Sequence, residues 1–226
     1  MLITFSGIDG SGKTTYAETV AEALRRRGLP AFAGRPVYLT CKAVESFCEA
    51  QFGSLTSFVT RLDPQVYLHA LMADWLEHLT RTLRHHEGKI ILCDRYVYDV
   101  CAQLLHYRTD PAPALRLLGY FPRPALSYFL TVSPEQARAR IDRRGQAPRD
   151  LESLDNLMVL DQAYRDVREL LAWSPVERES TFDFDTVVAE ILAARADERA
   201  RGSAGGRYGG GPGVPAADLL RVGAGE

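Results

Sequence analysis

The sequence predicts an α/β protein: a parallel sheet of five strands with helices on both faces, a three-layer α/β/α sandwich. Three observations carry this. Short apolar runs of strand length alternate with amphipathic stretches of helix length. A glycine-rich segment, Gly7–Thr14, joins the first strand to the first helix. A second apolar run, Lys89–Asp94, ends in a carboxylate at the strand end where open parallel sheets bind their ligands.

The elements follow in order. Leu2–Ser6 reads as a short buried strand. Lys13–Arg27 reads as a helix with Tyr16, Val20, Ala23 and Leu24 at helical spacing, closed by Arg25-Arg26-Arg27 and Gly28. Ala31–Ala33 is a weak second strand. Residues 41–52 and 63–86 are expected to be helical, and a helix is expected over 97–107. Ala125–Val132 is the fourth strand. Ser133-Pro134-Glu135 opens the next helix, with Ser as N-cap and Pro at the first helical position. Residues 152–173 are expected to be helical, Thr181–Phe184 to be the fifth strand, and Thr186 to about 199 the last helix.

Composition bounds the rest. With 226 residues, 46% of them hydrophobic, the chain can build one ordinary core. A net charge of −2 gives no global basic field toward nucleic acid or a membrane. Cys41, Cys48, Cys93 and Cys101 show no C-x-x-C spacing, which fits free thiols in a reducing compartment. Met1–Ser6 is too short for a signal h-region. No apolar stretch approaches the roughly 20 residues that span a bilayer, so a soluble, cytoplasmic protein is expected. Residues 1–200 form one domain. From Arg201 the composition turns to Gly, Ala and Pro, and 201–226 reads as a disordered tail.

Gly7-Ile8-Asp9-Gly10-Ser11-Gly12-Lys13-Thr14 matches G-x-x-x-x-G-K-[ST], with a strand before it and a helix after it. Glycines let successive N–H groups curl inward onto phosphate oxygens, and the helix N-terminus adds positive potential. Lys13 would reach the β- and γ-phosphates of a nucleoside triphosphate, and the Thr14 hydroxyl would ligate Mg²⁺. Asp94 sits where such folds hold a metal-organising carboxylate; the plainer alternative is a solvated strand-end Asp. Arg95 is placed to grip a phosphate on a second substrate, or else to pair with a neighbouring carboxylate. Arg138, Arg140, Arg143, Arg144 and Arg149 crowd five arginines into twelve residues. That is a solvated basic face or, more in keeping with the Gly/Pro break beside it, a lid over 138–151 supplying cations to a transferring phosphoryl group. Asp142–Gly145 fits D-x-x-G, but no N-K-x-D accompanies it. His85-His86 has no third metal ligand nearby.

With these motifs together, the chain resembles the thymidylate kinase family of nucleoside monophosphate kinases from Met1 to about Arg199. The resemblance rests on GIDGSGKTT, Asp94-Arg95-Tyr96 and the arginine segment. It implies transfer of the ATP γ-phosphoryl to a nucleoside 5′-monophosphate with Mg²⁺, on a P-loop NTPase-type fold, in a protein that is commonly a homodimer. It places Gly7, Asp9, Gly10, Ser11, Gly12, Lys13, Thr14 and Thr15 on ATP and Thr14 and Asp94 on the metal. It places Arg95 on the acceptor phosphate, Asp9 beside the acceptor, Arg35 after the second strand against it, and Tyr164 near its base or sugar. Gly10 stands where one subgroup carries a catalytic arginine, so Arg143, Arg144 or Arg149 would supply that charge.

The departures lie in the base pocket. Leu71 and Trp75 stand where the family has a Phe that stacks on thymine and an Arg that bonds it. Asp99 is a carboxylate where Ser is usual, and could accept a bond from an exocyclic amine or a sugar hydroxyl. Val37-Tyr38-Leu39-Thr40 replaces a glycine-rich segment. A changed set of polar groups implies a changed acceptor. The expected acceptor is dTMP or a related pyrimidine nucleotide. The alternatives are a same-fold kinase of another small molecule and a nucleotide-binding regulator.

Overall fold

The structure, a computed structural model, describes residues 1–53, 61–145, 152–171, 176–179 and 183–204. Five parallel strands run in the order β2-β3-β1-β4-β5: β1 Leu2–Ser6, β2 Ala31–Gly34, β3 Ile90–Asp94, β4 Leu126–Thr131 and β5 Val176–Glu179. The described helices are α1 Lys13–Arg26, α2 Leu39–Phe52, α3 Pro64–His85, α4 Val97–His106, α5 Ala112–Leu118, α6 Pro134–Asp142, α7 Leu154–Leu170 and α8 Phe184–Ala204.

Strand alternation separates two cores. Ile3 and Phe5 of β1, with Ile90 and Leu92 of β3, face α1 and α8. Leu2, Ile91, Cys93 and Phe129 face the opposite layer, built from α2 to α7. This is the three-layer sandwich expected of short apolar strands buried on both sides. In the second layer α4 is enclosed by α3, α5 and α7, and Val97 through Ala102 are all buried.

Register places the chemistry. Phe5 pairs with Asp94, so the end of β1, where the glycine loop starts, lies beside the end of β3. The Arg95 amide donates to the Phe5 carbonyl at 2.8 Å, tying the two strand ends together. Ser6 pairs with Phe129 on the other side.

Local signals act as the sequence indicates at several ends. Asp63 caps α3 by accepting the Gln65 amide at 2.9 Å, with Pro64 at the first position. Ser133 caps α6 through the Gln136 amide. Three features differ. The fifth strand is Val176–Glu179; of the expected strand Thr181–Phe184, residues 181 and 182 lie outside the described residues. An edge strand packs on one neighbour and is read poorly from a polar sequence such as VERE. Phe184, the residue that mimics a strand signal, instead begins α8, with its ring 4.6 Å from that of Tyr16. Helix α5, with Pro111 as its N-cap and Pro113 in its first turn, is not announced by periodicity. Helix α8 runs to Ala204, past the start of the compositional tail; residues 205–226 lie outside the described residues.

One connection has no sequence signal. Asp74 of α3 is buried, and its carboxylate accepts the Thr40 amide at 2.8 Å and the Cys41 amide at 2.9 Å. It therefore caps α2 from another helix, replacing a cap that Tyr38 does not provide. Burial works to raise the Asp74 carboxyl, but the two amides outweigh it and hold it below the usual range. A carboxyl lowered in the fold stabilises at pH above its unfolded range, and that stabilisation is lost as pH falls through the folded value. Asp74→Ala should cost about 1–3 kcal/mol at neutral pH in urea unfolding. The difference from the parent should shrink in acid; a constant difference down to pH 3 would contradict this role.

Candidate active site

The glycine loop wraps tightly against the sheet and against α6. Gly7 has φ 140°, and a Cβ there would lie 2.5 Å from the Leu130 carbonyl oxygen. Gly10 has φ 83°, and a Cβ there would lie 2.5 Å from the Ala137 carbonyl oxygen on α6. Neither position admits a side chain without moving backbone. Lys13 is 5% exposed, and its ammonium donates to the Gly7 and Ile8 carbonyls at 2.8 Å each. Asp9 lies 3.7 Å from the same ammonium. Burial, then the charge of Arg95, lowers Lys13 from 10.5 to about 8, against the pull of Asp9, Asp94 and Asp99.

Asp94 and Thr14 face each other across the strand ends, the Thr14 hydroxyl donating to Asp94 Oδ2. Asp94 Oδ1 is buried and has no hydrogen-bond partner in the structure. A buried carboxylate oxygen left open beside a hydroxyl fits a hard cation, since Mg²⁺ takes one or two protein oxygens and completes its shell with water and phosphate. No group of three His, Cys, Asp or Glu among the described residues forms an all-protein metal cage.

Arg95 occupies the turn after β3 with φ 82°, the left-handed region that a branched or long side chain seldom adopts. Its Nη2 pairs with Asp9. Its Nη1 lies 3.5 Å from both Asp99 Oδ1 and the Tyr164 hydroxyl. Burial works to raise the Asp9 carboxyl, yet Arg95 and then Lys13 hold it far below the usual carboxylate range. Burial works against the Arg95 charge, but Asp9, Tyr164 and Asp99 keep it a cation. Asp9 thus stands between two cations, one in the glycine loop and one in the β3–α4 turn.

Asp99 is turned inward. It is 2% exposed, and its oxygens accept from the Ser6 hydroxyl, the Tyr96 amide at 2.7 Å and the Tyr164 hydroxyl at 2.6 Å, besides facing Arg95. Burial, its largest influence, raises this carboxyl above its ordinary value despite Arg95 and these donors. The sequence offers Asp99 as a group that meets the acceptor; the fold instead gives its lone pairs to the protein. Leu71 and Trp75 are likewise buried, at 3% and 0% exposure, in the apolar core, with the Trp75 ring edge-on to Tyr96 at 5.8 Å.

The other sequence candidates are spread around this centre. Arg35 is exposed after β2. Tyr38, three residues on, reaches inward: burial raises its phenol, and Arg95, Asp99 and Asp94 are among the charges it feels. Tyr38 and Ser6 are site residues that motif matching does not select. Arg143 and Arg144 are exposed beyond α6. Arg144 approaches Glu152 at 3.7 Å, and its charge also lowers Asp9. Arg149 lies outside the described residues. Arg140, which sequence reasoning leaves out of the candidates, donates to the Gly10 carbonyl at 3.2 Å, so a lid-segment arginine touches the glycine loop itself.

The chain is similar to known proteins over most of its length. The family model for thymidylate kinase matches residues 5–177. The thymidylate kinase of Xanthomonas campestris pv. campestris (strain B100) is 33% identical over 159 residues, covering 70% of this chain and 67% of that protein. That of Leptospira borgpetersenii serovar Hardjo-bovis is 27% identical over 198 residues, covering 85% and 91%. That of Desulfotalea psychrophila is 28% identical over 159 residues, covering 69% and 76%.

Proposed function

The chain belongs to the thymidylate kinase family and is an ATP-dependent nucleoside monophosphate kinase; from that premise we propose that its acceptor is a pyrimidine (deoxy)nucleoside 5′-monophosphate, dTMP first and a related or modified pyrimidine nucleotide next. The pyrimidine acceptor is taken from the family, and the observation that best supports transfer to a nucleoside monophosphate is Asp9 held between Lys13 and Arg95. A cation in a phosphate-cradling loop and a cation in the facing turn suit a reaction that joins a donor and an acceptor phosphate.

In this reading ATP lies on Gly7, Asp9, Gly10, Ser11, Gly12, Lys13, Thr14 and Thr15. Lys13 leaves the loop carbonyls to meet the β- and γ-phosphates, where it stabilises charge that builds during transfer. Thr14 and Asp94 would hold Mg²⁺, which supplies charge neutralisation to the triphosphate. Arg95 aligns the acceptor phosphate for in-line attack, and Asp9 keeps Arg95 and Lys13 at fixed spacing. Arg143, Arg144 and Arg149 are candidates for cations over the transferring group. Arg140 joins them on the strength of its contact with the Gly10 carbonyl.

The kinase domain is proposed to span residues 1–200, and residues 201–226 to add nothing to the site. Assembly as a homodimer is proposed from the resemblance alone. Among the described residues no helix is long and apolar enough to cross a membrane.

The direct test is ADP release with Mg·ATP against a panel of nucleoside monophosphates. Acceptor-dependent release led by dTMP supports the reading. Slow ATP loss indifferent to every acceptor would point to a nucleotide-binding regulator.

A proton-linked prediction accompanies it. In the free protein Lys13 titrates at about 8 because burial disfavours its charge. Triphosphate oxygens favour that charge and raise the value, so at pH above about 8 ATP binding must take up a proton. Calorimetric titrations at pH 9 in buffers of different ionisation enthalpy should show uptake approaching one proton. Heats independent of the buffer would show that Lys13 is already charged.

A further inference from the structure

We infer that Asp99 is a positioning residue, which, with the Tyr164 phenol bound to it, aims the Arg95 guanidinium at the acceptor phosphate without touching the acceptor. The inference rests on the proposed role of Arg95 as the acceptor-phosphate cation.

Asp99 joins four parts of the molecule through one carboxylate. Ser6 donates to Oδ2 from the end of β1, just ahead of the glycine loop. The Tyr96 amide donates to the same oxygen at 2.7 Å from the start of α4. Tyr164 donates to Oδ1 at 2.6 Å from α7. Arg95 approaches Oδ1 at 3.5 Å from the β3–α4 turn. An ionised carboxylate offers about four lone-pair sites, and all are directed to these donors.

A direct reader of base or sugar needs a free, accessible oxygen, and Asp99 has neither. A cap serving only α4 would need the Tyr96 amide alone. The convergence of Tyr164 and Arg95 on the other oxygen gives the second role. Arg95 is then held from two sides, Nη2 by Asp9 and Nη1 by Asp99, on a backbone already confined to φ 82°. Two carboxylates on one guanidinium fix its plane, which matters because a phosphate is gripped by two parallel N–H bonds in that plane.

Steady-state ADP release with dTMP, dUMP and dCMP tests this. Asp99→Asn keeps the size of the side chain and removes its charge. Acceptor KM should rise about 10-fold, the loss of one charge-assisted contact. The rise should be in the same proportion for all three acceptors, with the ATP KM unchanged. Tyr164→Phe should raise acceptor KM less, and Asp99→Asn/Tyr164→Phe little more than Asp99→Asn alone, because both act through one contact. A reordered acceptor ranking would make Asp99 a direct reader and overturn the proposal. So would equal rises in the ATP and acceptor KM, which mark general loosening. If Asp99→Asn does not fold, Tyr164→Phe decides alone, and an unchanged acceptor KM overturns the proposal.

Should wild-type protein release no ADP with any nucleoside monophosphate, the acceptor reading fails separately. Inorganic phosphate, followed by ³¹P line broadening with the glycine loop already saturated by Mg·ADP, then probes Arg95. Weaker binding to Asp99→Asn than to wild type supports the positioning role, and equal binding overturns it.

Discussion

Lys13→Ala should lower kcat by roughly 100- to 1,000-fold, the range for losing one preorganised donor to transition-state charge, while ATP binding falls much less. The reason lies in when the charge is needed. In the free protein the ammonium rests on the Gly7 and Ile8 carbonyls at 2.8 Å, so ground-state binding of ATP exchanges those contacts for phosphate contacts. The gain concentrates where negative charge develops during transfer, and such a contact sets kcat rather than KM. Lys13→Arg should not restore activity. The ammonium sits as a point charge on two backbone carbonyls, Gly7 and Ile8, and a planar guanidinium presents its donors in a different, fixed geometry. Single-turnover rates at saturating Mg·ATP are the measurement; a kcat within about threefold of the parent in Lys13→Ala would remove Lys13 from the chemistry.

Arg95→Ala should act on the other substrate, lowering acceptor kcat/KM about 100-fold or more, the cost of losing a two-point charged contact. The ATP KM should move little. Asp9 gives the substitution a second signature. Its carboxyl lies far below the ordinary range chiefly because Arg95 and Lys13 outweigh its burial. Without Arg95 it should climb toward the usual carboxylate range, which ¹³C titration of the side chain would read. Arg95→Lys should recover only part of the acceptor affinity, since an ammonium cannot span two phosphate oxygens in one plane. Acceptor KM and kcat both unchanged in Arg95→Ala would overturn the assignment.

What could be read in the sequence was what depends on neighbours in the chain. The glycine loop is a local device, with its strand, turn and helix contiguous, so Gly7 to Thr14 could be placed from pattern alone. Asp94 and Arg95 could be placed because a buried strand ends beside them. What could not be read depends on partners far along the chain. Asp74 caps a helix 33 residues away. Asp99 reads as a pocket residue because it stands where the resembled family usually has Ser, but Ser6 and Tyr164, 93 and 65 residues distant, claim its oxygens. Tyr38 was hidden in a segment noted only for lacking glycine. Arg140 was hidden within its own run: five arginines share one composition, and only packing distinguishes the one whose guanidinium meets the glycine loop. The edge strand β5 failed for the opposite reason, since its ladder to β4 needs no apolar sequence of its own.

Gly10 carries a mechanical consequence. Because α6 presses on it through the Ala137 carbonyl, a side chain could not be added there while the helix stays in place. The same helix sends Arg140 back to the Gly10 carbonyl at 3.2 Å. Loop and helix are therefore seated on each other at one backbone position, and any motion of α6 is transmitted to the loop that would hold the triphosphate.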